Sequence, residues 1–206
     1  MNLKDNLYKN QRRIGLTGGI ASGKSTIAEY ILRNKKIKIL DADDFSKRLI
    51  SPEEESYERI INHYGNGIIN NNSAKKEIIT SKLRNIIFND LNEKKWLENL
   101  LHPLVKSKMI QACNNLYKEK IIILVIPLLF EANFNDLCTE IWLVKCSKKT
   151  QQKRLMGRDQ ITKDYANKII NSQMSFHKKA IRSDFILLNE NANDMNIWKT
   201  NLQNLL

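Results

Sequence analysis

The sequence predicts an α/β protein built on a parallel sheet. Short apolar runs alternate with longer segments of helical period, the strongest run is apolar at every position, and a glycine cluster separates the first run from the first periodic segment. Such alternation marks strands joined by crossover helices. A strand covered by helices on both faces is apolar throughout rather than at every second residue.

Residues 14–17 form the first strand, which ends in the glycine cluster. Residues 25–33 follow as a helix, because Ile27, Ala28, Ile31 and Leu32 share one face. A second short strand, 37–40, runs directly into Asp41, Ala42 and Asp43. Carboxylates are thereby set at the carboxyl end of a strand, where open α/β sheets keep their ligand-facing groups. If the chain stays extended there, Asp41 and Asp43 point the same way; the competing expectation is a turn or helix cap before Phe45. From 45 to 117 no β run stands out, while Ile60, Ile61 and Tyr64, then Leu83, Ile86, Ile87 and Leu91, recur at helical spacing, so this stretch reads as a helical insertion. Residues 121–126, six branched aliphatics in a row, give the third strand. Residues 141–144 give the fourth and 185–188 the fifth. Between those two, 148–158 is a basic helical segment and 159–179 is polar and helical in propensity; a last helix closes the chain. Trp96, Trp142 and Trp198 read as core anchors.

Composition narrows the class. With 206 residues, 42% of them hydrophobic, the chain is long enough to bury on the order of 70% of its unfolded surface. Three cysteines and seven glycines exclude a collagen or a disulfide miniprotein. Cys113, Cys138 and Cys146 form no CxxC pair and read as reduced core thiols. The stretch 1–13 is polar, without the apolar segment of a secretory signal. The longest apolar run, 121–130, is broken by Pro127 and falls far short of the roughly 20 residues of a membrane span. A cytoplasmic protein without membrane contact is expected. The formal charge of +12 suits a polyanionic partner: nucleic acid, acidic lipid or a phosphorylated small molecule. Lys, Ile and Asn, all encoded by AT-rich codons, are over-used throughout, so part of the excess reflects base composition.

Four of the seven glycines, Gly15, Gly18, Gly19 and Gly23, fall within nine residues. The stretch Gly18-Gly19-Ile20-Ala21-Ser22-Gly23-Lys24-Ser25-Thr26 satisfies GxxxxGK[ST] and stands between a strand and a helix, as that phosphate-binding motif requires. Glycines let successive N–H groups turn inward, and the following helix adds its positive end. Lys24 is then placed for the β- and γ-phosphates of ATP and the Ser25 hydroxyl for Mg²⁺. A chance match in a chain of this length is on the order of one in a hundred. No NKxD string of a GTPase is present: Asn34-Lys35-Lys36-Ile37 lacks the acid. Nor does the strongest strand end in Asp, as in DNA-dependent ATPases; it ends Ile126-Pro127-Leu128-Leu129-Phe130-Glu131. A small-molecule kinase fits better, although a nucleic-acid-binding ATPase stays open on charge alone.

The ordered set formed by the glycine loop, Asp41-Ala42-Asp43, Leu83-Arg84 with Ile87-Phe88, Trp96, Leu100-Leu101-His102-Pro103-Leu104, Pro127-Leu128-Leu129-Phe130-Glu131, and Arg154 with Arg158-Asp159 resembles the dephospho-coenzyme A kinase family over nearly the whole chain. Departures are mild: Ala21 stands where many members have glycine, and Ile126 where valine is usual. The resemblance implies a P-loop kinase fold of three layers with a five-stranded parallel sheet. Its nucleotide-binding core would comprise 1–46, 111–147 and 176–206, with a helical coenzyme-A-binding insertion at 47–110 and a small helical lid at 148–175. It implies ATP-dependent phosphorylation of the ribose 3′-hydroxyl of dephospho-coenzyme A, the last step of coenzyme A synthesis. By the same resemblance ATP is held by Gly18, Gly19, Ala21, Ser22, Gly23, Lys24, Ser25, Thr26 and the lid residues Arg154 and Arg158, with Mg²⁺ on Ser25. Lys24, Asp43 and Arg158 are the expected catalytic residues, Asp43 being the carboxylate that orients the 3′-hydroxyl. Asp43, Arg84, His102, Pro127, Leu128 and Glu131 are expected around the acceptor; His102 and Glu131 are equally compatible with structural roles. The partner implied is a small molecule, with no nucleic acid or membrane, on a monomer or weak homo-oligomer. Another P-loop kinase, acting on a nucleoside, shikimate or gluconate, would share the core and differ in the insertion.

Overall fold

A computed structural model describes residues 11–206 apart from 72. The expectation for a polar stretch at 1–13 therefore lies, for its first ten residues, outside the described residues. The chain divides into two compact units: Ala42–Ala112 is one, and the rest of the described chain is the other.

The larger unit holds five strands, β1 (Arg12–Gly18), β2 (Lys38–Asp41), β3 (Ile121–Val125), β4 (Glu140–Lys145) and β5 (Phe185–Leu188), all parallel in the order β2-β3-β1-β4-β5. β1 starts earlier than the apolar pattern suggests. Arg12 and Arg13 pair in register with Ile121 and Ile122, and the Arg12 guanidinium meets Glu140 at 2.8 Å. The Arg12 side chain is thus held by a carboxylate, while buried Arg13 donates from Nε to the Gln11 amide oxygen at 2.8 Å. Helix α1 (Lys24–Lys35) buries Ile27, Ala28 and Ile31 against Ile14, Leu16, Ile123, Val125, Trp142, Val144 and Leu187 of the sheet, together with Trp198 and Leu202 near the carboxyl end. β1 lies at the centre of the sheet and has so little room that a Cβ on Gly15 would come 2.5 Å from the Cys138 sulfur and 2.7 Å from Leu129 Cδ1.

The smaller unit comprises α2 (Ala42–Leu49), α3 (Glu55–Tyr64), a single 3₁₀ turn (Asn66–Ile68), α4 (Thr80–Asn89) and most of α5 (Leu91–Asn115). Its core is Tyr57, Ile60, Ile68, Ile78, Leu83, Leu97 and Leu100. An isolated antiparallel bridge between Ile69 and Ile78 is the only β pairing described in it. Trp96 departs from its expected role as a core anchor. It is half-buried, with its ring stacked on His63 at 3.7 Å between centroids, whereas Trp142 and Trp198 are buried in the sheet core.

The polar stretch after β4 is broken into three helices. α6 (Lys148–Asp159), α7 (Lys163–Asn171) and α8 (Phe176–Ala180) are capped by the side chains of Ser147, Thr162 and Ser175. Gln160 ends α6 in the left-handed conformation, φ 53°. Each cap supplies an acceptor to an otherwise orphaned N–H, so short polar segments form separate helices despite continuous helical propensity. α9 (Ala192–Leu205) closes the chain from a reciprocal cap between Asn191 and Asp194. Among the three cysteines only Cys113 is buried; Cys138 and Cys146 are half-buried, and none forms a disulfide. Among the described residues no helix is long and apolar enough to cross a membrane.

Candidate functional site

The glycine loop leaves β1 at Gly18 and enters α1 at Lys24. Gly23 is the residue just before the helix and adopts φ 97°, ψ 25°, a left-handed conformation open to glycine at little cost. It also has no space for a side chain, because a Cβ there would run into the Asn189 amide. That amide donates to the Ser22 carbonyl at 2.8 Å. The loop carbonyls are tied up by protein donors: Lys24 Nζ bonds those of Gly18 and Gly19, each at 2.9 Å; Gln151 takes Ile20 at 2.9 Å; Arg154 adds to Ser22 at 3.3 Å. Their negative ends are therefore engaged rather than turned toward an incoming anion. α1 has no acidic residue in its first turn, so nothing competes there for its positive end.

Ala21 carries the one positive φ of a non-glycine residue within the loop, 55°. For an L-residue with a Cβ this conformation costs about 1–2 kcal/mol, which explains why glycine suits the position. Ala21→Gly is expected to raise unfolding stability by roughly 0.5–1 kcal/mol, the relieved strain being partly offset by the entropy of a freer unfolded chain. Urea denaturation of the two proteins checks it; an unchanged or lowered midpoint would contradict the strain.

Arg154 and Arg158 lie one turn apart on α6 but in different surroundings. Arg154 is half-buried, reaching the carbonyls of Asn189 at 2.9 Å and Glu190 at 3.3 Å as well as Ser22. Arg158 is exposed and pairs with its neighbour Asp159 at 2.7 and 2.9 Å. Glu190 fastens the start of α6 to the end of β5, accepting from Ser147 N at 2.6 Å, Ser147 Oγ at 2.8 Å and Thr150 Oγ1. The Thr150 bond foremost, then those from Ser147, holds its carboxyl below the usual carboxylate range.

Asp41 ends β2, and the helix begins at the very next residue, so Asp43 stands in the first turn of α2 beside Asp44. The extended-chain expectation, both carboxylates on one side, is therefore wrong: helix formation at Ala42 overrides the alternation of a strand. Asp43 is exposed, at a helix start where a negative charge is favoured. Arg84 is exposed on α4, and His102 is half-buried on α5. Burial pushes the His102 pKa down, Glu98 opposing and Lys94 adding to the shift. Asp43, Arg84 and His102 all belong to the Ala42–Ala112 unit.

The tip after β3 belongs to the sheet unit. Pro127 O accepts from Thr17 Oγ1 at 3.3 Å and from Lys179 Nζ at 3.4 Å. Glu131 Oε1 accepts from Met174 N at 3.0 Å and pairs with Lys179 Nζ at 2.9 Å. Leu128 is half-buried between them in sequence. Around the loop, then, the structure gathers Gly18–Thr26 and Arg154 together with Gln151, Gln173, Asn189 and Glu190, residues that sequence reasoning did not single out. Asn189, directly after a strand at its carboxyl end, carried a usable signal. The two glutamines, set in polar helical sequence, did not.

Mg²⁺ takes one or two protein ligands and completes its octahedron with phosphate oxygens and water. The exposed Ser25 hydroxyl at the head of α1 fits that donor set. Among the described residues no group of three His, Cys, Asp or Glu side chains is placed to hold a metal alone.

Comparison with known proteins bears on family and fold. Residues 12–194 match the family model for dephospho-CoA kinase. The chain is 51% identical over 207 residues to the dephospho-CoA kinase of Prochlorococcus marinus strain MIT 9312, covering all of both chains. Among solved structures it is similar to the dephospho-CoA kinase from Campylobacter jejuni, with TM-score 0.67, 26% identity and coverage of 94% of this chain and 96% of that one. It is likewise similar to TT1252 from Thermus thermophilus, with TM-score 0.75, 26% identity and coverage of 96% and 99%. The family model over residues 12–194 and the full-length match to a curated relative at 51% identity place it: the chain belongs to the dephospho-CoA kinase family.

Proposed function

We propose that this protein transfers the γ-phosphoryl group of ATP to the ribose 3′-hydroxyl of dephospho-coenzyme A, releasing coenzyme A and ADP. The bond from the γ-phosphorus to the β,γ-bridging oxygen breaks, a bond from that phosphorus to the 3′-oxygen forms, and the hydroxyl proton passes to the Asp43 carboxylate and from there to water. The observation that carries the proposal is the loop at the β1–α1 junction, with Lys24 Nζ held 2.9 Å from the Gly18 and Gly19 carbonyls in a chain of this family.

Lys24 exchanges its carbonyl partners for β- and γ-phosphate oxygens when the nucleotide enters. It then stabilises the charge that develops on the transferring group. The Ser25 hydroxyl at the head of α1 would hold Mg²⁺, which when bound would supply neutralisation of the charge on the phosphates. Arg154, anchored on Ser22 and the 189–190 carbonyls, holds the lid helix against the loop. Arg158, on the next turn, is the lid cation that exchanges Asp159 for phosphate. Asp43 accepts a hydrogen bond from the 3′-hydroxyl and aligns it; a carboxylate is a poor base for an alcohol, so the proton transfers late, as the phosphoryl group arrives. Arg84 and His102 on the smaller unit, and the Pro127–Leu128 tip, are the proposed acceptor contacts.

Arg158→Ala is expected to lower kcat/KM for ATP by about 10–100-fold, the range of one charge-assisted bond to phosphate. Steady-state kinetics in ATP tests it, and intact kcat and KM would remove Arg158 from the lid.

The activity is tested by coupled measurement of ADP release with dephospho-coenzyme A, with shikimate, gluconate and nucleosides, and with DNA. Release dependent on dephospho-coenzyme A alone is expected. ADP formation driven by DNA, or by another small acceptor, would replace the proposal by the corresponding reading.

A further inference from the structure

Lys179 is 1% exposed, the one lysine among the buried charged and polar groups of the described residues. A buried ammonium is costly unless it is paired and hydrogen-bonded. Its partners lie at both ends of the strand tip: the Glu131 carboxylate at 2.9 Å and the Pro127 carbonyl at 3.4 Å. One charge thus fixes two points, five residues apart inclusive, on the segment that follows β3.

The same short stretch reaches the glycine loop. Gln173 Oε1 accepts from Ile20 N at 2.7 Å, and the next residue, Met174, donates its N–H to Glu131 Oε1 at 3.0 Å. Pro127 O is shared with Thr17 Oγ1, one residue before the loop. Gly19, Gln151, Gln173, Met174 and Lys179 also line a common cavity of about 180 Å³. Residues 173–179 therefore hold the loop with one hand and the tip with the other. Stability alone does not call for an ion pair here, since buried pairs are often replaceable by apolar residues without loss. What an apolar pair lacks is direction: it fixes neither the Pro127 carbonyl nor the Glu131 carboxylate at a set distance from the loop.

We propose that residues 173–179 are a clasp that keeps the acceptor-side tip in register with the phosphate loop, and that Lys179 is a positioning residue for phosphoryl transfer. The inference rests on the activity proposed above, with Glu131 acting as a strut for the tip.

The test compares wild type, Lys179→Met and the double variant Glu131→Gln with Lys179→Met. Each is read by thermal unfolding, by the KM for dephospho-coenzyme A and by equilibrium binding of ATP. Lys179→Met strands the Glu131 charge, so its melting temperature falls; its KM for dephospho-coenzyme A rises at least tenfold, with ATP affinity within twofold. In the double variant the amide introduced by Glu131→Gln keeps an oxygen for Met174 N and no buried charge remains. Its melting temperature returns toward wild type while the KM stays high. Recovery of stability and KM together would reduce Lys179 to a structural ion pair and overturn the proposal. So would a Lys179→Met protein with wild-type KM. If Lys179→Met does not fold, the double variant decides in the same way. A wild type inactive on dephospho-coenzyme A would instead refute the activity, whereas an active wild type with an indifferent Lys179 refutes only the clasp.

Discussion

Lys24→Met is expected to lower kcat by about a thousandfold, roughly 4 kcal/mol of transition-state stabilisation. The side chain lies over the loop with its ammonium bonded to two successive carbonyls, so it occupies the loop before any nucleotide arrives. Methionine keeps an unbranched stem one atom shorter but removes a charge aimed at the group on which negative charge develops. Lys24 is half-buried and methionine keeps most of its apolar stem in place, so the melting temperature should change little. Quenched-flow measurement of a single turnover reads the chemical step directly. Turnover within tenfold of wild type would mean that the charge at the γ-phosphate is met by another residue.

Asp43→Asn separates alignment from nucleotide binding. The expected fall in kcat is about 10²–10⁴-fold, the range of a lost general acid–base contact, with the ATP KM within about twofold. Asn retains the shape but donates where the carboxylate accepts, so the 3′-hydroxyl loses its oriented partner. The change also removes a charge from the first turn of α2, where it interacts favourably with the helix dipole. That contribution is only about 0.3–1 kcal/mol for an exposed group, too little to unfold the helix with Asp44 still beside it. Near-normal turnover would return Asp43 to the role of a helix-start acid.

The features legible in the sequence and those hidden from it follow a physical divide. The strands were legible because burial on both faces leaves only apolar residues, as in Ile121–Val125, and the loop because phosphate binding demands glycine and lysine at set spacing. The order of strands was not: β1 lies between β3 and β4 through backbone pairing that any apolar strand can make. The relation of Asp41 to Asp43 stays open in the sequence between an extended strand and a helix start, and the structure decides for a helix that begins at Ala42. Lys179 was invisible for a different reason. In sequence it is one basic residue in the run His177-Lys178-Lys179, and only the fold distinguishes the lysine that is buried against Glu131 from the exposed one beside it. The net charge of +12 proved less informative than the placement of a few cations, Lys24, Arg154 and Lys179 among them.

The most direct measurement is the identity of the phosphorylated product. Purified protein is incubated with ATP, Mg²⁺ and dephospho-coenzyme A, and the product is examined by mass spectrometry and by phosphorus NMR with coupling to the ribose protons. A single added phosphate on the 3′-oxygen, formed in step with ADP, is the predicted result. Phosphate at any other position, or ADP accumulating with unmodified dephospho-coenzyme A and free phosphate, would contradict it.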